Sequence, residues 1–149
     1  AATQHGAQPH DQDFRNLWAQ YAHAQGLAAT SPASADDSGY ILTVEGLGHV
    51  FVRPEAASGR VLLKTVLTFL PLDNEDPNWV FRGLLQAHLL GEATEGAVFA
   101  IDRDEGDLIA CRRLPMDGLD SFALNEAIDS IAGTAQHMCG LLALEAPTP

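Results

Sequence analysis

Basic residues are scarce in this chain of 149 residues: 8 Lys and Arg stand against 20 Asp and Glu, for a net charge of -12. That field repels phosphate backbones and anionic membrane surfaces, so nucleic acid is excluded as an expected partner. Cysteine is nearly absent. Cys111 and Cys139 are the only two, and both sit within apolar runs rather than in a spaced framework, so they are expected as reduced core residues. No apolar run approaches the roughly 20 residues needed to cross a bilayer. The opening AATQHGAQPH has neither a basic flank nor an apolar centre, so neither membrane insertion nor an export signal is expected.

Reactive constellations are missing as well. The six histidines, His5, His10, His23, His49, His88 and His137, include no pair at the i, i+4 spacing of a helical metal site. Asp102, Asp104, Glu105 and Asp107 imitate the start of a calcium loop. Gly106 stands at the fifth position, however, and Arg113 where a closing Glu belongs, so a solvated turn is expected. Gly46 and Gly48 lack the third glycine and the helix of a dinucleotide fingerprint. No Ser lies in a nucleophile elbow, and His137 and Cys139 do not face each other on a helix. No metal, no cofactor and no catalytic residue is therefore expected. Two rival classes stay open: an enzyme using carboxylates such as Glu45 and Asp107, and a small regulatory or ligand-binding α+β domain.

What is present is hydrophobic patterning, with 46% apolar residues, enough for one domain with a core. Residues 1–10 and 146–149 are small, polar and Pro-containing and are expected as mobile tails around a single domain at 11–145. Phe14, Leu17, Trp18, Tyr21 and Ala22 recur at helical spacing between Asp11 or Asp13 as cap and Gly26 as stop. Residues 29–39 are turn formers. The period then changes to 2 through YILTVEG and HVFVRP, a hairpin around GLG, and on into a strand at 60–72. That strand is apolar on both sides, with Val61, Leu63, Leu67 and Phe69 opposite Leu62, Val66 and Leu70.

A helix over 77–91 follows, with Asp76 as cap, Pro77 at its first position, and Asp73 and Glu75 near its positive end. It too has two apolar faces, Val80, Leu84 and Ala87 on one and Phe81, Leu85 and Leu89 on the other, and so needs two covers. GAVFAID and LIACRRLP form a second hairpin around RDEGD. Leu124, Ile128, Ile131, Ala135, Met138 and Leu142 then mark a long helix over 121–144. The order is α-β-β-β-α-β-β-α, an α+β fold with a twisted, mainly antiparallel sheet.

The stretch 81–138 runs through a Leu-rich helix, a Gly-containing loop, a strand, an acidic turn, a strand ending in Arg113-Leu114-Pro115-Met116, and Gly118-Leu119-Asp120 before the last helix. In that order and spacing it resembles the class I type III secretion chaperones of the CesT-like (Tir chaperone) family. The first half agrees by element order and hydrophobic pattern. The resemblance implies a homodimer in the cytoplasm of a Gram-negative bacterium. It would bind the unfolded N-terminal segment of a secreted effector and deliver it to the secretion machine, with the export ATPase as a further partner. On that reading Trp79, Val80, Phe81, Leu84, Leu85, Ala87 and His88 form the dimer interface. Apolar residues left over on the sheet and the first helix, Ile41, Phe51, Leu62, Val66, Leu70, Leu17 and Tyr21, hold the partner. The acidic surface leads to a further expectation, that the bound segment carries excess Lys or Arg.

Overall fold

A computed structural model describes residues 9–27, 39–55, 57–72, 76–89 and 94–144. Its elements are α1 (Pro9–Ala24), β1 (Tyr40–Val44), β2 (Gly48–Glu55), β3 (Arg60–Thr68), α2 (Pro77–Ala87), β4 (Val98–Ile101), β5 (Leu108–Pro115) and α3 (Ser121–Leu141). The expected order of elements is the observed one. The expected loop at 29–39 falls almost wholly outside the described residues, as do Asp73, Glu75, residues 91–93 and the C-terminal tail. The first helix begins at Pro9, within the stretch expected as a tail and ahead of the expected caps Asp11 and Asp13.

The five strands form one antiparallel sheet in the order β1-β2-β3-β5-β4. Gly46 and Gly48, at φ 77 and 108, make the β1–β2 turn, where a residue bearing a Cβ would be strained. β3 is the central strand, and α3 lies across β2, β3 and β5. The core sits between them. Leu42, Val50, Val52, Val61, Leu63, Leu67, Leu108, Ala110 and Leu114 point from the sheet toward the helices. The whole stripe Leu124, Ile128, Ile131, Ala135, Met138 and Leu142 is buried against them. Asp120 caps α3 by accepting the N–H of Ala123 at 2.8 Å.

α1 covers the β1 end of the same sheet face. Its Trp18 stacks on Tyr40 with ring centroids 4.2 Å apart, with Phe14 and Tyr21 beside it. Aromatic pairs of this geometry add about 0.5–1.5 kcal/mol to their area burial. Cys139 donates to the Leu67 carbonyl at 3.4 Å, and burial raises its pKa.

One disruption in β3 changes the sequence reading. The register with β5 shifts between Val66 and Thr68, so the alternation of faces breaks and the strand ends at Thr68 rather than continuing to 72. Phe69, expected on the helix side, is exposed. Leu70, expected beside Leu62 and Val66, packs against the main core instead.

Candidate partner-binding surface

The sheet has a second face, and no described helix packs on it. Strand register assembles that face row by row. Arg53, Leu62 and Arg113 form one row across β2, β3 and β5. Ile41, Phe51, Lys64, Cys111 and Val98 form the next, across all five strands. Val66, Ile109 and Ala100 follow. Leu62, Ile109 and Cys111 make a small apolar cluster of their own, separate from the main core, with Val66 and Ala100 packed beside it. Burial raises the Cys111 thiol pKa, with Arg113 acting the other way.

Charged side chains frame this cluster. Lys64 reaches Asp102 at 2.9 Å and stands 5.2 Å from the centre of the Phe51 ring. Arg113 donates to Glu55 at 2.7 Å, a bond that raises its own pKa. The hydrogen bond from Lys64, and then that from the Asp104 N–H, hold Asp102 at about 2, below its ordinary 3.8. A carboxylate depressed in the folded state adds stability that is complete above the unfolded value and is lost as the pH falls toward the folded one. Asp102→Asn should therefore cost about 1 kcal/mol at neutral pH. In urea titrations the gap to the parent protein should close between pH 4 and 2, and a gap constant with pH would contradict this assignment.

Of the residues expected to hold a partner, Ile41, Phe51, Leu62 and Val66 come together on this face. Leu70 does not. Leu17 and Tyr21 are each 5% exposed and spend their area on the core, so they correct the expectation of a binding surface on the first helix, and Leu62, 5% exposed as well, lies beneath the open face. An amphipathic stripe on a helix shows that something covers it, and here the cover is the protein's own sheet.

The residues expected at a dimer contact divide in the same way. Asp76 caps α2 by accepting the Trp79 N–H at 3.3 Å, and Pro77 opens it. Val80 and Leu84 are 0% and 3% exposed and belong to their own chain's core, a correction to their expected role. Gly83 permits that packing, because a Cβ there would come within 2.8 Å of the Leu142 side chain. Phe81 and Ala87 are partly buried against the core, whereas Trp79, Leu85 and Leu89 are exposed, the last two at 69% and 75%. His88 points inward, stacking on Phe99 and accepting its backbone N–H through Nε2 at 2.8 Å, which ties the end of α2 to β4. On the β4 edge strand Val98 and Ile101 are exposed too, so the sheet edge adds apolar surface that the sequence reading did not single out.

The recess between β1, β2 and β3 holds about 30 Å³, room for one water. Two wider hollows of about 460 Å³ each lie elsewhere, one between α1 and the turn at Met116 to Leu119, the other around Arg112 and Glu126. Among the described residues no group of three His, Cys, Asp or Glu could hold a metal ion, and no helix is long and apolar enough to cross a membrane.

Among the described residues, three helices pack on one face of a five-stranded sheet and leave its other face without a helix. The chain belongs to the Tir chaperone protein (CesT) family, whose description it matches over residues 19–138. A search of curated proteins finds no match. Among solved structures the fold is shared with the ExsC-ExsE complex at a TM-score of 0.71 and 18% identity, over 88% of this chain and 94% of that one. It is shared with the heterodimeric ExoU-SpcU complex from the type III secretion system of Pseudomonas aeruginosa, at 0.62 and 21%, over 81% and 93%. An uncharacterized protein from Methanothermobacter thermautotrophicus also has it, at 0.63 and 13%, over 87% and 96%.

Proposed function

We propose that this protein is a cytoplasmic type III secretion chaperone that acts as a homodimer. It binds the unfolded N-terminal segment of a cognate effector and keeps that segment competent for secretion. The observation that carries the reading is the sheet face that no described helix covers, with Ile41 and Val98 exposed and Phe51 and Val66 half-buried over the small cluster of Leu62, Ile109 and Cys111, on a chain of the Tir chaperone family. Such a surface suits an extended chain, whose side chains can settle on Ile41, Phe51, Val66 and Val98 while the edges β1 and β4 offer unpaired backbone groups. The exposed face of α2, with Trp79, Leu85 and Leu89, is the proposed twofold contact. No turnover is required, because holding a segment unfolded needs only binding. The export ATPase is the proposed receiver of the complex.

Coexpression with the product of a neighbouring gene, followed by limited proteolysis, tests the reading. An N-terminal fragment of the partner should be protected and copurify. Calorimetry of that fragment should show a strongly negative heat-capacity change, because ordering a disordered segment costs several kcal/mol and must be offset by a large apolar interface. Complete digestion of every coexpressed partner would refute it.

A further inference from the structure

We infer that the open sheet face selects an extended segment in which carboxylates and apolar side chains alternate on the side that meets the sheet. The inference rests on the proposed function and adds the chemistry of what is bound. It also reverses the expectation of a Lys- or Arg-rich segment drawn from net charge.

Half of the 8 Lys and Arg of this acidic chain, Arg53, Arg60, Lys64 and Arg113, lie on this one face. Along β3 the outward residues run Arg60, Leu62, Lys64, Val66, a strict alternation of cation and apolar side chain in which Leu62 is buried and Val66 half-buried. Same-face positions on a strand are about 6.8 Å apart. A second extended chain laid over β3 repeats with that spacing, so acid at i, apolar at i+2 and acid at i+4 would meet the pattern in register.

Across the strands Arg53 and Arg113 flank Leu62, each about one strand spacing of ~4.8 Å away. Glu55 and Asp102 engage Arg113 and Lys64, while Arg53 and Arg60 have no carboxylate at ion-pair distance among the described residues. Two exposed cations are thus free for a partner.

The net charge of -12 acts in the opposite sense, and distance decides between them. At physiological salt the Debye length is about 8 Å, so acids elsewhere on the surface influence encounter while groups in contact set the bound state. A segment placing Lys against Arg53 and Arg60 would bury like charges together.

The probe is a labelled twelve-residue peptide of three Glu-Ser-Leu-Ser repeats, compared by fluorescence anisotropy at 150 mM salt with its Lys-Ser-Leu-Ser counterpart. The Glu peptide should bind at least tenfold more tightly. The preference should reverse in the Arg53→Glu, Arg60→Glu double variant, whose exposed substitutions should leave its circular dichroism unchanged. Tighter binding of the Lys peptide, or a preference unaffected in the folded double variant, would overturn the inference. So would equal binding of a single-stranded oligothymidylate of the same charge, which would make the face a general anion surface. The effector reading is separable: a coexpressed fragment held equally by parent and double variant would defeat the charge selectivity and leave the chaperone proposal standing.

Discussion

Leu85→Asp should convert a particle of twice 15.9 kDa into one of 15.9 kDa without unfolding it, while Leu84→Asp, one residue earlier, should unfold it. Leu85 is 69% exposed in the single chain, so a carboxylate there stays solvated when the protomer is alone. In the proposed dimer it would be buried without a cation, at about 3 kcal/mol, and twofold symmetry applies that cost twice. About 6 kcal/mol corresponds to roughly a 10⁴-fold weaker association. Leu84 lies in the core at 3% exposure, so its carboxylate would be buried within the protomer itself. Light scattering with circular dichroism distinguishes the two outcomes. A parent protein that elutes as a monomer at micromolar concentration would defeat the twofold contact on α2.

The neighbouring leucines also show how far sequence alone carries. Period 3.6 identified α2 and its two apolar faces, and the 4, 3, 4, 3, 4 stepping of α3 marked its buried stripe residue by residue. Periodicity does not say which face meets the chain's own core. Val80 and Leu84 could be told from Leu85 and Leu89 only once Leu142 was seen to close over Gly83. The same ambiguity misassigned Leu17 and Tyr21.

In β3 the alternation was legible up to Val66, but a shift of register is a property of pairing with β5 and left no mark that distinguished Phe69 or Leu70. The charged character of the open face was hidden for a related reason. Arg60, Leu62 and Lys64 alternate within one strand, yet Arg53 and Arg113 join them only through β2 and β5, more than fifty residues apart in sequence from each other. A count of charges over the whole chain does not show that half of its basic residues gather on one face.

Val66→Asp should abolish capture of the partner segment while leaving the protein folded and its oligomeric state unchanged. Val66 is half-buried at the margin of the small cluster of Leu62, Ile109 and Cys111, on the side of the sheet away from the main core. In the free protein an aspartate at this position is hydrated, and removing two methyl groups from a marginal contact costs about 1 kcal/mol, well within the stability of an ordinary domain. Once a segment covers the face, the carboxylate must lose its water with Lys64 already engaged by Asp102. Desolvation without a partner costs about 3 kcal/mol or more, equivalent to at least a hundredfold loss of affinity. The added negative charge would also oppose the acidic segment inferred above. The measurement is pull-down of the coexpressed N-terminal fragment, followed by titration of the purified fragment into each variant. Gln20→Asp, exposed on α1 and away from the open sheet face, serves as the charge control and should retain binding within a fewfold. Equal capture by a folded Val66→Asp variant would mean that the segment lies elsewhere on the molecule.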